Sequence, residues 1–496
     1  MAIARVAGAV VPALVVGAVV LGRGAVPSGA QGPVTFSEHV APIVFANCAP
    51  CHRPGEAAPF ALLSYRDARP LAKAIASATA SHVMPPWKAG PGDYEFANAR
   101  SLTDAQIATI QRWVADGMLE GDPARLPPLP SFTEGWQLGS PDLAVSMSEA
   151  FEVPARGPDL YRNFVVPLNL DRDAWVRAID FRPSARAVVH HSLFFLDATG
   201  AARERDAADP LPGFAGGMGG PRVLGAGRGA GVAGLIAGRG AADRADDQVR
   251  RAGGGLGGWA LGGRALELPD GLAFFVPKGS DLILSTHFHP SGTVAREQST
   301  VGLYLASGPP RQAFGTIQLP PIFGVFEGLD IPAGEGRYVI KDSFVIPIDV
   351  RAFGVGAHAH YLGKQMRLTA TLPDGAVKTL LRIDDWDFSW QERYSFKDFV
   401  SLPRGTRLDA EISYDNSAAN KRNPTRPPVR VTWGEESTDE MGSIGLQVVA
   451  ATPGELPRLQ QALAEHIRGA AVSRPGLQQL LQRRGARGGG RGDGPR

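Results

Sequence analysis

From about residue 140 to residue 452, the chain is a succession of short apolar runs with strand character, separated by turn signals. Residues 187–195, 281–286, 366–371 and 408–414 are representative, and Pro373-Asp374-Gly375 has the sequence of a turn. Short strands at this spacing are typical of antiparallel β-sandwiches. Because roughly 310 residues exceed the length of one sandwich, two tandem all-β sandwiches are predicted. They cover residues 142–309 and 310–452, with the boundary near Gly308-Pro309-Pro310.

Residues 33–121 have a different pattern, which predicts a small all-α domain. Thr35 and Glu38, like Thr103 and Gln106, have the spacing of helix capping boxes. The apolar residues that follow the second box fall on one face of a helix: Ile107, Ile110, Trp113 and Val114. The chain is therefore expected to be multidomain, with a helical domain ahead of the two sandwiches.

The first 30 residues have the pattern of an export signal. Arg5 precedes an apolar stretch over residues 6–21, and Ser28-Gly29-Ala30 resembles a cleavage site for a signal peptidase. The stretch is shorter than the roughly 20 residues that a membrane span needs. We therefore expect a periplasmic or secreted protein whose mature chain has no membrane span, or a membrane-anchored one if the signal is not cleaved.

Three further segments differ in composition from the predicted domains. Residues 122–141 are rich in proline and predict a linker, and residues 213–263, rich in glycine, predict a flexible surface insertion in the first sandwich. Residues 453–496 predict a tail that is helical over 456–481, with a break at Pro475, and disordered from 487.

Charge and cysteine content exclude two classes of protein. The 51 Lys and Arg against 49 Asp and Glu give a net charge of +2, which argues against a nucleic-acid partner held by bulk charge. The chain has only 2 cysteines, so a scaffold held together by disulfides is excluded. Stability must come from the sandwich cores instead.

The two cysteines form the motif Cys48-Ala-Pro-Cys51-His52, which is the C-x-x-C-H signature of c-type haem attachment. Both thiols can add to the haem vinyl groups, and His52 can then reach the iron from one side. The alternative is a redox-active C-x-x-C disulfide. Together with the helical pattern, the motif resembles a class I cytochrome c domain with one covalent haem (heme c).

The sixth ligand of such a haem is predicted to be Met84. Met84-Pro85-Pro86 resembles the methionine ligand loop of small cytochromes c, and a thioether ligand raises the reduction potential. His82 and His39 are the alternatives.

Six of the ten histidines form three groups in the β region: His190-His191, His287-Phe288-His289 and His358-Ala359-His360. Imidazole is a common ligand of copper, zinc and iron. Residues i and i+2 of a strand share a face, so His358 and His360 can chelate one ion. Adjacent residues point to opposite faces, so His190 and His191 can share a metal only where the strand bulges or ends.

The sequence around these histidines resembles the copper type II, ascorbate-dependent monooxygenases, of the peptidylglycine α-hydroxylating and dopamine β-hydroxylating type. The matching motifs occur in the family's order: Val189-His190-His191, Leu284-Ser-Thr-His287-Phe, His358-Ala-His360-Tyr-Leu-Gly-Lys364 and Asp439-Glu440-Met441. The resemblance implies two tandem antiparallel jelly-roll domains that carry two copper ions.

Carried over residue by residue, the resemblance assigns two metal sites. His190, His191 and His287 would hold the electron-transfer copper, and the catalytic, oxygen-activating copper would be held by His358, His360 and Met441. His289 has no family counterpart and is either a neighbour of the site or a replacement for His287. The residues that would clamp a peptide carboxylate in the family are here Gly356, Ser443 and Gly445, which argues against a peptidylglycine substrate.

These features predict an exported haem–copper monooxygenase that hydroxylates an aliphatic or benzylic C–H bond of a small organic molecule with O₂. Ascorbate or a redox protein is the expected electron donor, in addition to the haem. Two alternatives remain: a non-catalytic haem and copper electron-transfer or copper-binding protein, and a haem protein whose β region binds carbohydrate or another protein.

Overall fold

The computed structural model describes residues 32–473, apart from residues 57, 98, 133–134, 158, 216–254, 261–262 and 435. In the described residues the chain is mostly β with few helices, as predicted for the region after residue 140. The predicted signal peptide, the middle of the glycine-rich insertion and the tail beyond residue 473 lie outside the described residues. None of the helices in the described part is both long enough and apolar enough to cross a membrane.

The helices of the N-terminal region surround a small apolar cluster of Phe36, Val44 and Trp113. The α-helices are α1 Ala41–Asn47, α2 Tyr65–Ala68, α3 Ala72–Ala80 and α4 Asp104–Ala115. A π-helical turn Phe36–Val40 precedes α1, and 3₁₀ turns are formed by Arg69–Leu71 and Pro123–Arg125.

Only one of the two predicted capping boxes is formed. Thr103 and Gln106 exchange both hydrogen bonds at the start of α4, as predicted. Thr35 makes no side-chain capping bond, because its hydroxyl contacts His39 Nδ1 at 3.2 Å and Glu38 pairs with Arg125.

The first set of strands forms two antiparallel five-stranded sheets and a short two-stranded antiparallel pair. The sheet orders are β1-β12-β4-β8, with β9 also on β4, and β6-β3-β10-β5-β7, while β2 pairs with β11. The strands are β1 Leu143–Ser146, β2 Phe151–Val153, β3 Leu160–Pro167, β4 Ala174–Arg182, β5 Val189–Asp197, β6 Phe214–Ala215, β7 Gly255–Ala260, β8 Leu266–Glu267, β9 Phe274–Val276, β10 Asp281–Phe288, β11 Ala295–Glu297 and β12 Thr300–Leu305.

The second set of strands forms two antiparallel four-stranded sheets, β13-β22-β16-β19 and β15-β20-β17-β18, with a short β14-β21 pair. The strands are β13 Phe314–Leu319, β14 Asp330–Ile331, β15 Tyr338–Val345, β16 Val350–Ala359, β17 Gly363–Thr371, β18 Val377–Ile383, β19 Arg393–Leu402, β20 Arg407–Tyr414, β21 Val431–Thr432 and β22 Gly442–Ala450. A 3₁₀ turn Pro321–Gly324 follows β13.

The inward faces of each sheet pair bury one large apolar cluster. Residues of β4, β5, β10 and β12 share the first cluster, and residues of β16, β17, β20 and β22 share the second. Phe353 and Val449 of the second set of strands belong to the first cluster, so the two sandwiches are in direct apolar contact. This contact positions the histidines of one sandwich relative to those of the other.

Strand β10, which carries His287, is buried along its whole length. It lies between β3 and β5, and one face packs into the first cluster. Its other face is covered by helix α5 Ala201–Ala208, where Ile283 contacts a cluster that includes Ala202 and Val165. Burial on both faces explains the continuous apolar run Leu282-Ile283-Leu284 in this strand.

The prediction of a flexible surface loop over residues 213–263 is wrong at both ends, where the chain forms strands. β6 and β7, which bracket the residues that are not described, lie at opposite edges of the sheet that contains β10. A Cβ on Gly258 would lie 2.5 Å from a methyl carbon of Leu193 and 2.8 Å from the carbonyl oxygen of Ser192. Glycine is therefore required here by close backbone approach within the sheet, in addition to any role in flexibility.

The helical region, which residues 122–141 connect to the first sandwich, also contacts the second sandwich directly. Ala89 bridges to Ile383 and Phe96 bridges to Phe396, so the segment between them runs along strands β18 and β19. Trp87 inserts its ring 5.0 Å from the ring of Tyr394. At the other end of the chain, helix α6 Leu456–Ser473 confirms the helical prediction for the start of the tail.

Candidate metal centres and haem attachment site

The first residues of β5 contain the bulge that adjacent histidines need in order to share a metal ion. His287 of β10 pairs with His191, whereas the next residue, Phe288, pairs with Val189, so His190 is an extra residue at a bulge. The bulge brings a ligand atom of each of His190, His191 and His287 to within 4.8 Å of one another. The strand therefore has the bulge that His190 and His191 need in order to share one metal ion.

The nitrogens of this three-histidine cluster have spacings that fit a metal ion. Nδ1 of His287 lies 3.4 Å from Nδ1 of His191. Two nitrogens that each lie about 2.0–2.1 Å from one tetrahedral metal are roughly 3.3 Å apart. His190 Nδ1 is buried and has no hydrogen-bond partner in the described residues, which is the expected state of a ligand atom without its ion.

Asp159 fixes the orientation of His287. Its carboxylate accepts hydrogen bonds from His287 Nε2 and from His289 Nδ1, both at 2.8 Å. Burial raises the pKa of Asp159, but the two imidazole hydrogen bonds outweigh it and leave the pKa below its ordinary value. A proton on Nε2 leaves the Nδ1 lone pair of His287 directed at the cluster. His289 is 67% exposed and lies outside the cluster.

The second pair of histidines lies at the end of β16, with ring centroids 5.3 Å apart. The Nδ1 atoms are engaged: that of His358 lies 2.5 Å from Gln391 Oε1, and that of His360 lies 3.1 Å from the carbonyl oxygen of Asp439. His358 Nε2 is buried without a hydrogen-bond partner in the described residues, as expected of a ligand atom without its ion. His360 makes a second backbone hydrogen bond, to Glu436.

Glu440 holds the segment that carries Met441 against the end of β16. Its buried carboxylate accepts hydrogen bonds from the backbone N–H groups of His360, Leu362 and Met441, at 3.0, 2.6 and 3.1 Å. Burial raises the pKa of Glu440 to about 8, although these donors act in the opposite direction. Gly442 pairs with Ala359, so Met441 and His360 are brought to adjacent strand ends.

One aromatic ring, Phe388, lies between the two groups of histidines. Its centroid is 6.2 Å from that of His287 and 6.3 Å from that of His191, and 5.4 and 6.5 Å from those of His360 and His358. The ring belongs to the connection between β18 and β19. Its position beside the histidines was not predicted from the sequence. The aromatic run Trp386-Asp-Phe388-Ser-Trp390 was the available signal.

Burial keeps the clustered imidazoles neutral. It lowers the pKa of His190 and of His358 to about 4, that of His360 to about 3, and that of His191 well below the ordinary value. A histidine must be neutral to coordinate a metal. At pH 7 these four side chains are therefore in the form that binds metal.

Acidification is expected to destabilise the metal-free protein between pH 6.5 and pH 4. In that range the unfolded chain binds a proton at His358 whereas the folded chain does not, so the free energy of unfolding falls as the pH falls. Each such imidazole contributes on the order of 3 kcal/mol over the range. Urea unfolding at several pH values measures this, and His358→Gln should give a shallower slope. An unchanged slope in that variant would contradict the burial of a neutral His358.

The C-x-x-C-H motif follows helix α1 directly. The N–H of His52 donates to the carbonyl of Cys48 at 2.9 Å, and the ring of Phe60 lies 4.6 Å from that of His52. Both cysteines are free. Burial raises the pKa of Cys48 to about 12 and also raises that of Cys51, whereas a redox-active C-x-x-C pair needs a lowered pKa.

Exposed apolar side chains in this region offer surface that a haem would cover. Phe60, beside His52, is 41% exposed, and Val83 and Met84 after α3 are 58% and 36% exposed. Of the two alternative ligands, His82 is next to this segment, whereas His39 contacts Thr35 through Nδ1. The residues present are therefore compatible with a haem.

Met84→Ala is expected to lower the haem reduction potential and to remove the sulfur-to-iron charge-transfer band, because a thioether ligand stabilises ferrous haem. Potentiometry and absorbance spectroscopy of the purified holoprotein measure both. His82→Ala is the matched control and should leave them unchanged. An unchanged spectrum in Met84→Ala would assign the sixth position to a histidine.

No protein-family model matches the chain, and no curated protein matches it. Among solved structures, it is similar to the subviral-particle capsid protein of infectious bursal disease virus, with a TM-score of 0.18, 10% identity, and 67% of this chain and 76% of that chain covered. The major capsid protein P2 of bacteriophage PM2 gives a TM-score of 0.20 and 9% identity, with 63% of this chain and 98% of that chain covered. A two-domain protein of unknown function from Bacteroides fragilis gives a TM-score of 0.14 and 7% identity, with 61% of this chain and 94% of that chain covered. Likenesses at these TM-scores carry no argument about fold or function.

Proposed function

We propose that this protein is an exported haem–copper monooxygenase that hydroxylates an aliphatic or benzylic C–H bond with O₂. In this proposal residues 33–121 form a cytochrome c domain, and the two sandwiches are jelly rolls that carry one copper each. Ascorbate or a redox protein supplies the electrons through the haem or directly. The proposal is supported by the sequence resemblance and by the chemistry of the two histidine sites.

The observation that carries the proposal is the pair of histidine sites on either side of Phe388, one on each sandwich. Their donor sets differ, which suits two different roles. The first site offers three imidazoles, and the second offers two imidazoles next to the segment with Met441. A soft thioether favours Cu(I), the oxidation state that reacts with O₂.

The side chains around the second site have roles that follow from their contacts. When bound, copper would supply the redox chemistry for activating O₂. Gln391 would hold the His358 ring with Nε2 free for the ion, the carbonyl of Asp439 contacts the His360 ring, and Glu440 aligns the strand ends. Phe388, which is only 5% exposed, excludes water from the space between the sites.

The same ring favours a second candidate, a non-catalytic haem and copper electron-transfer or copper-binding protein. Phe388 occupies space between the sites that an organic substrate would need in order to lie close to both. Under this alternative the two ions exchange electrons across the ring, and no C–H bond is attacked.

Oxygen consumption by copper-loaded, haem-loaded protein distinguishes the two candidates. With ascorbate as reductant, a panel of small aliphatic and benzylic compounds should include at least one that stimulates O₂ uptake and gives one hydroxylated product per O₂ consumed. Copper-depleted protein is the control. Copper binding without substrate-dependent uptake across the panel would favour the electron-transfer candidate, and lack of copper binding would exclude both.

A further inference from the structure

One loop contacts both predicted copper sites and is joined by an ion pair to the helical region. It consists of residues 384–392, between β18 and β19, and is called the 384–392 loop below. Phe388 faces the histidines of both metal sites, and Gln391 contacts His358. The ring of Trp390 lies 5.3 Å from that of His190. The loop is therefore in contact with a predicted ligand from each copper site.

The end of the same loop contacts the helical region on the side of the predicted methionine ligand. Glu392 Oε1 accepts a hydrogen bond from Arg100 at 2.6 Å, and the side chains are only 15% and 24% exposed. The Arg100 guanidinium also donates to the carbonyl of Pro86 at 3.3 Å. Pro86 is two residues after Met84. This ion pair ties Trp390 to the segment that would hold the haem iron.

A second ion pair connects the cysteine motif to the strand with the first histidine pair. Glu56, five residues after Cys51, accepts a hydrogen bond from Arg186 at 2.6 Å, and Arg186 is four residues before His190. Both side chains are mostly buried, at 12% and 29% exposure. Two partly buried ion pairs thus hold the helical region against the three-histidine site, which makes a fixed contact rather than a mobile tether.

We propose that Trp390 is the electron-transfer contact between the haem and the copper held by His190, His191 and His287. This inference rests on the proposed haem and copper cofactors. One electron would pass from ferrous haem to the cupric ion and give ferric haem and a cuprous ion, with no proton moved. Trp390 would supply the copper end of this path by its ring contact with His190 and would itself be neither oxidised nor reduced. The protein contributes the position of the ring relative to both cofactors.

Stopped-flow absorbance of the holoprotein tests the role of Trp390. The haem is reduced with copper kept cupric, and haem oxidation is followed without O₂. Trp390→Leu should slow the concentration-independent oxidation by roughly an order of magnitude, with haem potential and copper content unchanged. Trp175→Leu is the matched control, since the ring of Trp175 lies against that of Phe275 in the first sandwich, with centroids 4.7 Å apart, and it should leave the rate unchanged.

Two further measurements keep the test decisive if Trp390→Leu loses copper. Glu392→Gln removes the charge pair with Arg100 and should slow haem oxidation with copper retained, whereas Glu411→Gln, on the surface pair with Lys341, should not. Cupric ion added to copper-depleted protein should quench tryptophan fluorescence less in Trp390→Phe than in the wild type. Rates that do not change in Trp390→Leu and Glu392→Gln would overturn this inference alone, whereas protein that binds no haem or no copper would overturn the proposed function as well.

Discussion

His358→Ala is expected to lose one of the two proposed copper ions and all measurable hydroxylation, whereas Met441→Leu should retain copper and lose turnover. His358 is a proposed ligand, and its Nε2 is buried without another partner in the described residues. Leucine keeps the volume of Met441 but has no sulfur to stabilise Cu(I). We expect a loss of at least roughly 100-fold in turnover for Met441→Leu.

Copper content by elemental analysis and product formation under ascorbate are measured on the same preparations. Met366→Leu is the matched control, because Met366 is also buried in the second sandwich but belongs to its apolar core. It should retain both copper ions and activity. A fully active Met441→Leu protein would show that the oxygen site is assigned to the wrong residues.

Glu440→Ala is expected to have the largest effect on folding. The substitution leaves three buried N–H groups, those of His360, Leu362 and Met441, without their acceptor. Each unsatisfied buried donor costs about 1–3 kcal/mol, so the free energy of unfolding should fall by several kcal/mol. The second metal site should be lost with it, because these hydrogen bonds join the two segments that carry its ligands.

Urea unfolding of the metal-free proteins, followed by circular dichroism, measures the first effect, and copper titration measures the second. Glu411→Ala is the control, since Glu411 lies at the surface of β20 in the same sandwich and pairs with exposed Lys341. It should change stability by no more than about 1 kcal/mol. A Glu440→Ala protein as stable as the wild type would contradict this role.

The strands and the histidine groups are the parts of the molecule that sequence reasoning anticipates best. Alternating and continuous apolar runs reflect burial on one or both faces of a strand, and β10 is a clear case, with every residue buried. The requirement for a bulge at His190-His191 follows from strand geometry alone, and the pairing of Phe288 with Val189 meets it. In contrast, the metals and the haem stay predictions.

Contacts between distant segments were not predictable from a single sequence. Phe388, Trp390 and Gln391 contact the histidines from a connection with no regular period, and Asp159 contacts His287 from the residue before β3. The bridges of Ala89 and Phe96 to strands β18 and β19 likewise depend on tertiary packing. Local propensity and spacing report on a residue's own element, and they contain no information about which other element it meets.

Metal and haem analysis of purified full-length protein tests the central claim most directly. Elemental analysis, the pyridine haemochrome assay and a protein concentration from amino-acid analysis give the stoichiometry per chain. The proposed function predicts two copper ions and one covalent haem, with copper falling to one in His358→Ala. Zinc at the histidine sites, or protein that binds neither copper nor haem after exposure to both, would contradict it.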